Sequence, residues 1–244
     1  SYKISLKIIT MISVCIATYN GADVILTQIN SILPQLNITD EIVISDDGSS
    51  DGTVEVLEKL QDSRIRIVKG PCLGSPIPNF ENALKNAKGD YIFLSDQDDK
   101  WMPGKIEAVI KKLNEGYACV MTDCIVTDEN LNTTHQSFFS LNNTHEGRYY
   151  NLLIKNGYIG GCMAFTRPLL ERCLPFPKNL PMHDMWFGNV ASFYYKMAFI
   201  HQPYSYFRRT GNNASSSGEK SKNSLFTKLR IRLKIIKELL LLKR

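Results

Sequence analysis

The sequence predicts an α/β fold with a mostly parallel central sheet flanked by helices, and three observations predict it. Short apolar runs alternate with helical patterns along the first half of the chain, the rhythm of βαβ units rather than hairpins. Polar loops rich in Asp, Ser and Gly follow the first, second and fourth runs, where an open α/β sheet binds its ligands. The 244 residues are 43% hydrophobic and 22% charged, which is ordinary globular usage. A chain of this length buries roughly 70–75% of its unfolded surface, so the core needs no staples.

Ile12–Ile16 reads as a buried strand. Val24–Leu33 follows with Ile25, Ile29 and Ile32 on one helical face, stopped by Pro34. Glu41–Ser45 and Val54–Leu60 form the next strand and helix, then Ile65–Val68 and Asn79–Ala87, the latter ended by Gly89. Tyr91–Leu94, Lys105–Leu113 and Tyr117–Thr122 complete the alternation. After Asp123 the rhythm breaks. Asp128–Gly147 is polar and reads as a long loop or lid. Tyr149–Asn156 is a short helix, Gly161–Thr166 a strand, and Pro175, Pro177 and Pro181 mark an irregular crossing segment. Asp184–Tyr195 is helical and Met197–Phe207 supplies further strand, before a polar linker, Asn212–Ser224.

Charge divides the chain unevenly. From Glu219 onward nine Lys/Arg face Glu219 and Glu238, a net +7, whereas the first 218 residues are net −2. A basic tail on an acidic body points to an anionic surface. At 100° per residue, Leu225, Phe226, Leu229, Leu233, Ile236 and Leu240 share an arc of about 100°, with Ile231, Ile235 and Leu242 forming a weaker strip. This pattern predicts an interfacial helix on an anionic membrane; a helix packed on the domain is the alternative. Nucleic acid is disfavoured as a partner because the tail lacks interleaved aromatics.

No apolar run reaches the ~18 residues of a membrane span, and Ser1–Thr10 is a poor secretory signal, with Met11 a candidate natural start. Six cysteines form no C-x-x-C pair and read as unpaired thiols of a reducing compartment. The expected organisation is an extension over 1–11, an α/β domain over 12–217 and a basic helical tail over 218–244.

The loop motifs carry the chemistry. Ala17-Thr18-Tyr19-Asn20-Gly21 ends the first strand, Ser45-Asp46-Asp47-Gly48-Ser49-Ser50-Asp51-Gly52 the second, and Ser95-Asp96-Gln97-Asp98-Asp99-Lys100-Trp101 the fourth. Carboxyl groups gathered at neighbouring strand ends repel, so a cation or hydrogen-bond donors should join them. Asp96 and Asp98 lie two apart and share a face in extended chain, suiting a hard divalent ion. Neither a G-x-G-x-x-G nor a G-x-x-x-x-G-K-[ST] motif occurs, which disfavours dinucleotide dehydrogenases and P-loop enzymes. Asp47, Ser49, Asp51, Gly52 and Glu58 also match calcium-loop positions, but a strand precedes them where an entering helix is required. The plainer reading of that segment is a turn and helix N-cap through Ser50 or Asp51.

Taken together, these motifs resemble the family 2 inverting glycosyltransferases of the GT-A fold. The resemblance rests on the three loop motifs and continues through Gly160-Gly161-Cys162-Met163-Ala164-Phe165 and Pro181-Met182-His183-Asp184-Met185-Trp186, which look like a rhamnosyltransferase-like branch of bacterial surface-polysaccharide enzymes. It implies that Tyr19 packs on a pyrimidine base while Thr18 and Asp47 bond its edge. Asn20 and Asp46 belong to the same nucleotide-binding set, and Asp96 lies on the ribose side. Asp98 is implied to ligate Mn²⁺ or Mg²⁺ at the diphosphate, and Asp184 to be the base that deprotonates the acceptor for inverting attack. Gly160, Gly161, Cys162 and His183 would lie on the acceptor side, with close backbone packing as the alternative for the glycines. His183 could orient Asp184, although it, Trp101 and Trp186 also read as packing residues.

Two positions depart from the family pattern. Thr210 stands where relatives often carry a His that helps the metal or diphosphate, which implies either weaker metal coordination or that Arg208 and Arg209 meet the diphosphate instead, and Pro78 stands where a basic residue often precedes Asn79. The implied function is transfer of a sugar from a dTDP-rhamnose or UDP-hexose donor to a lipid-linked bacterial surface glycan such as capsule or O-antigen. The implied location is cytoplasmic, peripheral at the inner face of the membrane. The competing class is a non-enzymatic nucleotide-sugar or calcium-binding module.

Overall fold

The structure is a computed structural model and describes residues 10–209 and 224–242. Thr210, most of the polar linker and nearly all of the N-terminal extension lie outside the described residues. Strand β1 (Ile12–Thr18) runs parallel between β2 (Glu41–Asp46) and β4 (Tyr91–Asp96), with β3 (Ile65–Lys69) beyond β2. Ile12, Val14 and Ile16 feed one core layer and Cys15 the other. Burial on both faces is why β1 reads as an unbroken apolar run. Helices α1 (Ile25–Ile32), α2 (Thr53–Glu58) and α4 (Lys105–Asn114) cover the first face, and α3 (Pro76–Asn86) covers the second. Each fully buried Ile or Leu in these layers contributes about 1.5–3 kcal/mol.

Helix α3 starts three residues before the expected Asn79, because Pro76 occupies its first turn, where a fixed φ and a missing N–H cost nothing. The register decides where the loops meet. Ala17 pairs with Asp96 and Thr18 with Asp46, so the carboxyl ends of β1, β2 and β4 finish level.

The second half of the sheet is mixed. Strand β6 (Cys119–Thr127) outruns the expected Tyr117–Thr122, and β8 (Met163–Thr166) inserts antiparallel between β4 and β6. The long β9 (Met197–Arg208) runs parallel to β6, and the two-residue β5 (Lys100–Trp101) lies antiparallel along its far side. The order is β3-β2-β1-β4-β8-β6-β9-β5, with β7 (Thr133–His135) paired to β6. The expected parallel arrangement thus holds among β1 to β4 and between β6 and β9.

The polar stretch after Asp128 is more ordered than a lid. It contains β7 and α5 (Phe138–Asn142), whose Phe138 and Phe139 are buried and meet Phe207 and Phe199 edge-on at 6.0 and 6.1 Å. Asp123 anchors this segment by accepting from Phe139 N at 2.9 Å. Helix α6 (Arg148–Leu153) leads to a 3-10 turn at Gly160–Cys162, and β8 begins only after it. Helices α7 (Arg167–Cys173) and α8 (His183–Tyr194) pack on the second face, and α9 (Leu225–Leu241) lies against them through Ile235 and Leu239. The tail helix therefore packs on the domain, but by its weaker strip, while most of the stronger one faces outward.

The calcium-hand alternative fails structurally, since β2 occupies the place of the entering helix. The expected cap through Ser50 or Asp51 is not formed either: Gly52 is the N-cap of α2, with no side-chain cap bond, and Asp51 accepts Thr53 N at 3.1 Å in the turn just before it.

Candidate active site

Three loops at the level strand ends build one end of the site. Asn20 N donates to Ser49 Oγ at 2.8 Å, Ser50 N to Asn20 Oδ1 at 3.0 Å, and Ala22 N to Asp51 Oδ2 at 3.0 Å. These bonds stitch the loop after β1 to the loop after β2. Asp46 shapes its own turn, accepting from Gly48 N, Ser49 N and Ser49 Oγ at 3.1, 3.0 and 2.5 Å. Asp47 faces the other way and holds the loop after β3, accepting from Cys72 N at 2.7 Å and Gly74 N at 2.8 Å. Its own N–H donates to Thr18 O at 2.9 Å. Asp47 thus sits between a loop carrying Tyr19, 53% exposed, and a loop carrying Leu73, 68% exposed. An exposed phenol and an exposed leucine beside a carboxyl suit a flat heterocycle with an N–H to donate.

Several expected nucleotide contacts are committed elsewhere. Thr18 is buried and its hydroxyl donates to Gln97 Oε1 at 2.5 Å, which ties it to the loop after β4. The side chains of Asn20 and Asp46 are struts of the loops just described. Gln97, which the sequence analysis left without a role, accepts Tyr19 N at 3.0 Å and returns its amide to Tyr19 O at 3.2 Å. A Cβ at Gly21 would come within 2.5 Å of Gln97 Oε1, so glycine there lets the bridge close. Its position beside Asp96 and Asp98 was the available signal; β4 ends at Asp96, so a turn rather than the expected extended chain carries Gln97 and Asp98.

The acidic end is crowded. Asp96 and Asp98 are half-buried, whereas Asp99 is closed off and accepts Arg208 N at 3.1 Å. Burial raises Asp96 to about 7, with the charges of Asp98, Cys162 and Asp184 adding to it and Lys105 opposing. Burial likewise raises Asp98 and Asp99; the guanidinium of Arg208 partly offsets the rise at Asp98. Arg209 lies against the Phe207 ring, 5.7 Å from its centroid.

Lys105 supplies cationic charge below this cluster. It is 1% exposed, donates to Gly161 O at 3.0 Å and sits 4.3 Å from the Trp101 ring centroid. Burial lowers its pKa. The sequence held one clue: a lysine in the first turn of a helix opposes the macrodipole and needs a tertiary reason to be there.

The Gly160–Gly161 turn joins the acidic end to the other half of the site. A Cβ on Gly161 would lie 2.7 Å from Asp96 Oδ2 and 3.0 Å from Asp99 Oδ2; one on Gly160 would lie 2.8 Å from His183 Nε2 and 3.5 Å from Asp184 Cβ. Both glycines are therefore required by close packing, whatever they do for an acceptor. Consecutive Cα atoms are about 3.8 Å apart, so Asp96 and Asp184 are separated by little more than one dipeptide. Cys162 is buried beside Ser205, Sγ to Oγ 3.5 Å, and falls to about 7 through its bond with Cys124 and the charge of Lys105.

Asp184 lies in the first turn of α8 and is 4% exposed; burial raises it to about 6. Met185 N donates to its Oδ1 at 2.5 Å. A carboxyl titrating near neutrality at a helix start is suited to take a proton. His183 is not its orienting partner. The imidazole packs 4.3 Å from the Phe80 ring centroid, neither ring nitrogen has a hydrogen-bond partner, and burial lowers it to about 4. Trp186 packs as expected, donating Nε1 to Cys173 O at 3.0 Å.

Among the described residues no three His, Cys, Asp or Glu side chains form a metal cage. A cation of the magnesium kind requires no such cage, because it takes one or two carboxylates and completes its shell with phosphate oxygens and water. Asp98, half-buried among raised carboxyls, is the side chain that the motif resemblance expects to hold such an ion.

Comparisons with known proteins bear on this geometry. A glucosyltransferase of Campylobacter jejuni, described as GalNAc(5)-diNAcBac-PP-undecaprenol beta-1,3-glucosyltransferase, is 28% identical over 81% of the chain and 64% of its own length. WfaP of Escherichia coli, a UDP-Glc:alpha-D-GlcNAc-diphosphoundecaprenol beta-1,3-glucosyltransferase, is 40% identical over 39% of the chain and 38% of its own length. The chain thus spans less than two thirds of these relatives. S. aureus TarS 1-349 in complex with UDP superimposes with a TM-score of 0.67 at 20% identity, over 93% of the chain and 65% of that structure. A Pyrobaculum calidifontis mannosyltransferase in complex with GDP-Man and Mn²⁺ gives 0.59 at 21% identity, over 84% and 58%. Residues 13–174, which hold every loop of the nucleotide-side and acidic ends, match the family described as Glycosyl transferase family 2, and the chain belongs to that family.

Proposed function

We propose that the protein transfers one sugar from a nucleotide-diphosphate donor to a lipid-linked bacterial glycan, inverting the anomeric configuration. The observation that carries the reading is the Gly160–Gly161 turn, which brings Asp184 next to the acidic end while keeping the two apart. Tyr19, Asp47 and Leu73 receive the base, with Asp47 accepting from its ring N–H. Asp96 and Asp98 face the ribose and diphosphate, aided by Arg208 and Arg209. Asp184 takes the proton from an acceptor hydroxyl as that oxygen attacks the anomeric carbon, a contribution of about 10²–10⁴-fold. A divalent cation held by Asp98 would supply counter-charge to the departing diphosphate, an effect worth several kcal/mol.

The relatives' names support a UDP-hexose donor, glucose first, and an undecaprenyl-diphosphate-linked acceptor. The dTDP-rhamnose donor expected from the motif branch becomes the second choice. Thermal-shift titration with UDP-, dTDP- and GDP-sugars in Mn²⁺ tests the base site, and binding of the GDP-sugar alone would overturn it. Proton NMR of the product's anomeric centre tests the mechanism: retained configuration would exclude single displacement.

A further inference from the structure

Helix α9 rests on the domain through Ile235 and Leu239, with Ile236 and Leu242 partly covered. Tyr194 donates its hydroxyl to Leu239 O and Arg172 donates to Leu242 O. Two of the helix's own cations help the docking: Arg232 donates to Ile154 O, and Lys234 to the carbonyls of Lys178 and Asn179. What remains outside is the stronger apolar strip. Leu225, Phe226, Leu229, Leu233 and Leu240 are 85, 76, 53, 57 and 60% exposed. At 100° per residue they span about 100°, and the exposed Arg230 and Lys237 border them within the next ~40°.

The neighbouring helix α6 and its end extend the patch with Tyr149, Leu153 and Ile154, all exposed. Nine of the thirteen large apolar side chains exposed among the described residues therefore lie on these two adjoining elements. Scattered exposed leucines need no explanation, but a concentration of this kind marks an interaction surface. Its charge says which one. Within α9, five Lys and Arg face Glu238 alone, and Lys155 and Lys178 are exposed beside the docked segment. Two copies meeting through this face would bring like charges together. An anionic bilayer meets both properties, taking the apolar strip into its headgroup boundary and the cations onto its phosphates. No described helix is long and apolar enough to cross a membrane, so the helix would lie on the surface rather than span it.

We propose that the α6–α9 face docks the protein onto an anionic phospholipid bilayer and turns the acceptor side of the site towards it. Ile154 is six residues from Gly160 and Asn179 five from Asp184, so the docked helix lies within about 20 Å of the base along either connection. Acceptor delivery rests on the transfer reading above; docking itself does not, and the test reads docking alone.

The full chain is sedimented with vesicles of phosphatidylcholine and of phosphatidylcholine plus phosphatidylglycerol, at low and high salt. Expected is binding to the anionic vesicles at least about tenfold above the neutral ones, and weakened by salt. Leu229→Glu with Leu233→Glu, and separately Arg230→Glu with Lys237→Glu, should each cut it at least about tenfold while UDP affinity and the thermal midpoint hold. These four side chains have no part in the docked strip, so both variants should fold. Failure to bind, equal binding to both vesicle types, or variants that pellet like the parent would overturn the proposal. So would a concentration-dependent dimer, without vesicle binding, that Leu229→Glu with Leu233→Glu disperses; that result assigns the face to a second copy.

Discussion

Replacing Asp184 by Asn should make the protein more stable and nearly inactive. Burial lifts the Asp184 carboxyl from 3.8 to about 6. The folded state therefore holds this proton more tightly than the unfolded chain does, and charging the group inside the fold costs stability. Below the unfolded value both states are protonated and there is no cost. The cost grows as pH rises through the window from 3.8 to about 6 and is complete above it. A shift of about two units corresponds to roughly 3 kcal/mol at 1.36 kcal/mol per unit. Asn carries no charge at any pH, so it removes this cost near pH 8 and changes little near pH 4. Against that, the new amide nitrogen cannot accept the backbone N–H of Gly160 that the carboxyl now takes, a loss of about 1–2 kcal/mol. The net expectation is a gain of about 1–3 kcal/mol near pH 8, or a Tm rise of roughly 2–10 °C for a domain of this size. Turnover should fall about 10²–10⁴-fold with donor affinity kept, because Asn cannot accept the proton. Denaturant unfolding of both proteins at the two pH values, together with turnover near pH 8, is the assay. A variant that is less stable near pH 8, or equally shifted at both pH values, would refute the buried-charge argument; normal turnover would refute the base.

Asp98→Ala should abolish the Mn²⁺-dependent part of donor binding in calorimetry, since the diphosphate loses its shared counter-charge; unchanged affinity would move that role to Arg208 and Arg209. Gln97→Ala strips the acceptor from the buried Thr18 hydroxyl and both bonds from Tyr19, so UDP affinity should fall about tenfold with kcat near the parent value. Equal UDP affinity would disconnect the bridge from the base loop. Gly161→Ala places a methyl 2.7 Å from Asp96 Oδ2, and because its φ is not left-handed the effect is purely steric. Overpacking should cost about 1–3 kcal/mol of stability, and displacing the carboxyl should cost roughly 10²-fold in turnover. A fully active, fully stable Gly161→Ala protein would show that the turn can yield.

How much of this was legible before folding follows from the range of each interaction. The helices around the first four strands, and the acidic loops that end those strands, came from local periodicity and turn chemistry, which neighbouring residues decide. Asp184 was legible through the family resemblance of its motif, not through any local property, because its raised titration needs the burial that α8 and the Gly160–Gly161 turn create together. Gln97, Asp99 and Lys105 gave at most a weak local signal as site residues, for a related reason. A glutamine in an acidic loop and a lysine at a helix start look solvated until a strand and a turn close over them.

The tail shows most plainly what the sequence by itself determined and what only the tertiary structure decided. Composition determined a basic helix with two apolar strips of unequal strength. Which strip meets the domain depends on the shape of the surface waiting for it. The groove beside α8 accepts Ile235 and Leu239, while the carbonyls of Ile154, Lys178 and Asn179 take the cations beside them. The same holds for the sheet. A strand's apolar run states that it is buried, but its direction is set by pairing with residues far along the chain. For that reason β8 could be recognised as a strand from its sequence, and only the fold could place it antiparallel between β4 and β6.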